Sequence, residues 1–122
     1  MKSLITTVIL LILMLSVTVI NFLFINQTAD EMVDRIDALP AFGEAQSVPA
    51  AESLLRFWES RSATVTLSVG YATADRVTEQ AKLLLGAARI KDLYGYETAL
   101  TLLTDAIEDM RRLEQFSIEN LF

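Results

Sequence analysis

The 122-residue chain has no cysteine and no histidine, and only two prolines. Without cysteine there is no disulfide, no thiol nucleophile, no thiolate metal site and no attachment point for a bacterial lipoprotein lipid. Without histidine there is no imidazole for acid–base work near neutral pH or for metal binding. Cations are also scarce: 10 Lys and Arg stand against 16 Asp and Glu, a net charge of −6. Every acidic residue lies beyond Ile25, so the body of the protein is strongly acidic. Phosphate backbones repel such a surface, which argues against nucleic acid as a partner. The pair Arg111-Arg112 is flanked by Glu108, Asp109 and Glu114, and no basic patch with interleaved aromatics exists.

What is present begins with an uninterrupted apolar run, Leu4 to Ile25, whose polar residues are Thr6, Thr7, Ser16, Thr18 and Asn21. Roughly 20 apolar residues at about 1.5 Å each match the hydrocarbon thickness of a bilayer. The remaining chain is too short to enclose an all-round apolar cylinder, which argues against a buried core helix. A cleaved secretory signal is the rival reading. The run is longer than the usual ~7–15-residue apolar region of such signals, and Gln27 stands where a small residue should precede the cut. The expectation is an uncleaved single-pass anchor, with a cleaved, secreted helical protein as the alternative. Lys2 and the amino terminus precede the run, whereas Asp30, Glu31 and Asp34 follow it, with Arg35 the nearest cation beyond. The positive-inside rule then puts the amino terminus in the cytoplasm and the body outside; the opposite orientation is the alternative.

Beyond the run the apolar spacing stays helical. Ile25, Ala29, Met32, Ile36 and Leu39 step by one turn each, predicting that the membrane helix (residues 1–25) continues as a stalk over 26–39. Pro40 ends it, because the residue before a proline is pushed out of the helical region. Residues 40–49 carry both prolines and Gly43 and read as a linker; 50–122 read as a helical bundle with an apolar tail. A second helix is expected from about Ala50, striped by Ala51, Leu55, Trp58, Ser62, Val65 and Val69. The β-branched stretch Thr64–Val69 would suit a strand, but has no partner strand. A turn at Gly70-Tyr71-Ala72 precedes a third helix capped by Thr73, striped by Val77, Ala81, Leu84 and Ala88. Gly86 inside it costs about 1 kcal/mol against alanine, which close approach of a neighbouring helix would explain. Asp92 is placed to cap a fourth helix, striped by Ala99, Leu103, Ala106, Met110 and Leu113, ending near Gln115. The expected architecture is all-α: a transmembrane helix and stalk, then a small antiparallel three-helix bundle, four-helix counting the stalk.

Chemistry-bearing residues are few. Asp105, Glu108 and Asp109 fall off the last helix's apolar stripe and read as a solvated face, so no catalytic residue is expected and the chain is not read as an enzyme. No spacing of oxygens around a glycine turn suits calcium, and no metal or cofactor is expected. Trp58, the sole tryptophan, reads as a core anchor on its stripe or as a contact platform. Tyr71, Tyr94 and Tyr96 sit near the two expected turns. The carboxyl-terminal stretch Phe116, Ile118, Glu119, Asn120, Leu121 and Phe122 is oily for a tail; it would fold onto the bundle or enter a partner or the bilayer interface.

The layout of Lys2, apolar run, stalk, Trp58 helix and the ending Ser117-x-Glu119-Asn120-Leu121-Phe122 resembles the family termed domain of unknown function 4363. These are small single-span membrane proteins of spore-forming Gram-positive bacteria. Members commonly carry His-Glu near the second turn, where this chain has Gly70-Tyr71. The resemblance implies a fold, a cell-membrane location and a multi-span membrane protein as companion, and no activity. The functional expectation is a non-enzymatic accessory or scaffold protein that contacts a membrane-protein partner or itself through the 116–122 tail and one face of the bundle, with Trp58 among the candidate contact residues. A small ligand-sensing bundle, with Trp58 and the tyrosines lining a pocket, is the alternative.

Overall fold

The computed structural model describes residues 1–121, apart from the side chains of Ser117 and Leu121. It consists of four helices: α1 Lys2–Asp37, α2 Ser47–Val69, α3 Tyr71–Arg89 and α4 Leu93–Leu121. Among the described residues there is no strand. The chain is all-α, with one helix, α1, long and apolar enough to cross a membrane.

α1 has two environments along one continuous axis. Its first five turns expose nearly every side chain, whereas Ile25, Thr28, Ala29 and Met32 are buried. The stalk is therefore a wall of the bundle rather than a free spacer. α3 packs extensively on both α2 and α4, and α1 lies mainly against α4. The core that results joins all four helices around Trp58, Leu54, Leu84, Leu103, Ile107 and Met110. Each such large apolar side chain contributes about 1.5–3 kcal/mol on leaving water.

Polar contacts fix the directions. Arg35 Nη1 donates to Ser53 Oγ at 3.0 Å, and the Arg61 guanidinium lies 5.4 Å from the Phe24 ring centre, so α2 runs back along α1. Trp58 Nε1 donates to Thr78 Oγ1 at 2.7 Å and Arg89 pairs with Glu52 at 2.9 Å, setting α3 antiparallel to α2. Arg76 pairs with Asp109 at 2.8 Å, and Arg111 with Asp30 at 2.7 Å, so α4 descends again along α1. One end of the bundle, the base, thus holds the α2–α3 turn and the lower end of α4. The other end, the crown, holds loop 38–46 and the α3–α4 turn. Phe42 of that loop packs on Tyr96 with ring centres 5.1 Å apart.

Three helix limits differ from the sequence reading. α2 starts at Ser47, not near Ala50, because the Glu44 carbonyl already accepts from Ser47 N–H at 3.0 Å and Gln46 takes the capping position. α3 starts at Tyr71, so Thr73 is buried inside it and is no cap. The reversal is made by Gly70 alone, at φ 89° and ψ 167°, a region that only glycine enters freely. α4 does not stop near Gln115 but runs to Leu121; nothing in Phe116–Leu121 breaks a helix. The cap at Asp92 is present: its Oδ1 accepts from Gly95 N–H at 3.0 Å. A Cβ on residue 95 would stand 2.5 Å from Asp92 Oδ2, so any larger residue there would displace the capping carboxylate.

Candidate functional site: the outer seam of α3 and α4

Apart from α1, the exposed large apolar residues gather rather than scatter. Leu83, Ile90, Tyr94 and Leu102 flank an open groove of about 520 Å³ at the crown end of the α3–α4 seam. Its floor is Gly86, Ala87, Gly95 and Ala99, small residues that hold the groove open. Gly86 is exposed, and a Cβ built on it meets nothing within 4 Å. The expectation that a neighbouring helix of this chain approaches Gly86 is therefore overturned: α2 and α4 pack on the other faces of α3, and this face is bare.

The seam continues toward the base. There a second groove of about 370 Å³ lies between Thr73 and Arg76 of α3 and Leu113 and Phe116 of α4. The Arg76–Asp109 pair bridges the seam beside this groove, and Asp109 also holds Arg112 at 3.5 Å. Leu113, expected on the core stripe, is exposed and lines this groove; Glu114 is buried instead. Glu114 lies two turns after Ile107 and about three after Leu103, on the same face, so continued winding turns it inward. Among the described residues it forms no ion pair, and burial pushes its carboxyl above the ordinary value of 4.5.

The residues singled out from the sequence are placed as follows. Trp58 is completely enclosed and offers no contact platform; that part of the interaction set is corrected. Burying it inside four helices, with its N–H satisfied by Thr78, makes it a core anchor. Phe116 is exposed, Ile118 partly buried, Glu119 and Asn120 exposed. Leu121 belongs to α4 and Phe122 lies outside the described residues. Tyr71 and Tyr94 stand at opposite ends of α3's length, and Tyr96 lies beneath Phe42, so Trp58 and the tyrosines share no pocket. Asp105 and Glu108 face solvent. Among the described residues no cluster of three metal-ligating side chains occurs.

Leu83, Ile90 and Leu102 escaped the sequence reading, which took Gly86 for a contact with a neighbouring helix. A trace existed: Leu83-Leu84-Leu85 holds more leucine than a single core stripe can use. In comparison with known proteins, the chain matches no family model, no curated protein and no solved structure.

Proposed function

We propose that this chain is a non-enzymatic, membrane-anchored accessory or scaffold protein that holds its helical bundle at the bilayer and receives a partner along the α3–α4 seam. One observation carries the reading. α1 combines an apolar length exposed on all sides with a buried wall of the bundle, in one unbroken helix. The bundle is thereby fixed in position and height relative to whatever surrounds the exposed length. Hydrocarbon suits that length, since Thr6, Thr7 and Thr18 return their hydroxyls to the carbonyls of Lys2, Ser3 and Met14. The seam is then the exposed face left over, apolar around Leu83, Ile90 and Leu102 at the crown and crossed toward the base by the Arg76–Asp109 pair. It fits an apolar helix of a membrane-protein partner rising out of the bilayer. Flanking charge favours the cytoplasmic amino terminus and an extracytoplasmic bundle. The resemblance of the layout to domain of unknown function 4363 implies the same address and no activity.

The test uses the absence of cysteine: one introduced thiol is the only thiol. Tyr94→Cys should react with a membrane-impermeant maleimide on intact cells, and only after permeabilisation if the orientation is reversed. A photo-crosslinker at position 83 or 102 should give one discrete adduct in native membranes, while the same probe at the exposed Glu59 gives none. An adduct of twice the chain's mass would identify self-association. Equal, diffuse labelling from positions 83, 102 and 59 would remove the seam as a docking face.

A further inference from the structure

We infer that the base of the bundle, made of the α2–α3 turn with Leu67 and Tyr71 and the lower end of α4 with Phe116, is seated in the headgroup and upper acyl region of the same bilayer that α1 crosses. This inference rests on the anchored reading and adds to it a lipid-facing surface on the bundle itself.

The argument is one of heights along α1. No residue between Lys2 and Asp30 is charged. With Lys2 kept at one headgroup layer, about 20 residues of helix span a hydrocarbon core of about 30 Å. The far boundary then falls near Leu23. Phe24, just above it, is where Arg61 of α2 lies across α1. α2 is antiparallel to α1 and continues for eight more residues, to Val69. At about 1.5 Å per residue it descends roughly 12 Å below Arg61, past the boundary. A crossing angle of about 20° barely shortens that distance. Sliding α1 so that more of its uncharged length is immersed carries the base deeper. The same reckoning for α4 starts from Arg111, level with Asp30, and brings Phe116 to about the height of Ile25.

On the α2–α3 turn the residues at those heights are ones a bilayer accepts; on α4 the same reckoning puts the exposed Glu119 near the height of Phe22, where its carboxylate holds the end of that helix at headgroup depth. From Ser62 to Ala74 the chain carries no charge, in a protein otherwise rich in acids. Ser62 and Thr66 return their hydroxyls to the Glu59 and Ser62 carbonyls, at 3.1 and 2.7 Å, so they need no water. Leu67 is 89% exposed, Tyr71 75% and Phe116 63%, all at this end. Exposed leucines scattered singly carry no information. An uncharged turn bearing leucine and tyrosine, below the height where the span leaves the hydrocarbon, matches the interfacial belt of membrane proteins. Arg61, the last cation of α2, stands at headgroup height with its guanidinium against the Phe24 and Phe57 rings, 5.4 and 5.2 Å from their centres. Among the described residues it forms no ion pair, which leaves its guanidinium free for lipid phosphate.

The experiment places an environment-sensitive fluorophore on single cysteines in the full chain: Leu67→Cys, Tyr71→Cys and Phe116→Cys at the base, Tyr94→Cys at the crown, Leu10→Cys within the span. Each is reconstituted at low density in phosphatidylcholine vesicles doped with nitroxide-labelled lipid. Labels at 67, 71 and 116 should emit to the blue and lose most of their intensity to the nitroxide, as at 10, while 94 stays red-shifted and bright. A variant that lacks the parent's helicity by circular dichroism is replaced by Ser68→Cys or Ala72→Cys on the same turn. Quenching at 10 with base labels as bright as 94 overturns the seating and leaves the anchor standing. No quenching at 10 overturns the anchor as well. Base labels that turn blue only at high protein density mark a second copy as the occupant, and also overturn the inference.

Discussion

Arg111 reaches from α4 to the carboxylate of Asp30 on α1, 2.7 Å away and 81 residues distant in sequence. The pair ties the descending end of α4 to the long apolar helix α1, at the level where the first charge after Lys2 appears. Asp30 is largely exposed and Arg111 is not, so the coupling belongs to the modest range of partly exposed pairs, about 0.2–1 kcal/mol. A double-mutant cycle with Asp30→Asn and Arg111→Gln, read by denaturant unfolding in micelles, should return that coupling. Strict additivity of the two changes would show that the pair does not hold α4 in place.

Trp58 and Thr78 make the second long-range link, at 2.7 Å inside the core. Thr78→Val keeps the volume and removes the acceptor, leaving the indole N–H unpaired, at a cost of about 1–3 kcal/mol. Trp58→Ala adds a cavity and should cost about 3–5 kcal/mol. Thermal or denaturant midpoints followed by circular dichroism check both values. A Thr78→Val chain as stable as the parent would mean the hydrogen bond contributes nothing.

Two backbone sites should respond in opposite directions. Lys91 ends α3 in the left-handed region, φ 57°, with Asp92 N–H bonded to the Ala87 carbonyl at 2.9 Å. Glycine suits that closing position, so Lys91→Gly should stabilise by about 0.5–1 kcal/mol. Gly70→Ala forces a Cβ into a φ of 89° and should destabilise by about 1–3 kcal/mol, although space around it is open. Unfolding midpoints moving the same way in both variants would contradict the assignment.

Glu114 makes the stability depend on pH. Burial holds its carboxyl above 4.5 in the folded chain, so the folded state keeps its proton longer than the unfolded one. Below about 4.5 both states are protonated and the favourable term is fully present. As pH rises, the unfolded chain ionises first, and this term is lost up to the folded value. Glu114→Gln should flatten that fall and raise stability at neutral pH. Parallel pH–stability curves for parent and variant would show that the carboxyl is not desolvated.

Much of this protein can be read along the chain. The uncharged run before Asp30 specifies a helix long and apolar enough to cross a membrane, and the stripes Val77–Ala88 and Ala99–Met110 specify core faces, because helical periodicity is local. The absence of cysteine and histidine removes their chemistry without reference to any fold. The cap at Asp92 also follows from neighbours in sequence. What the sequence could not decide depends on which helix lies beside which. Leu113 and Glu114 are adjacent, and only the way α4 packs in the bundle decides that the glutamate turns inward. Gly86 suggests a close neighbour, and only the packing of α3 reveals that its face is bare. Tyr71 and Phe116 are far apart in the chain; the antiparallel return of α2 and α4 along α1 brings both to the base. Periodicity says which side of a helix avoids water, but the partner on that side is chosen by packing among all four helices at once.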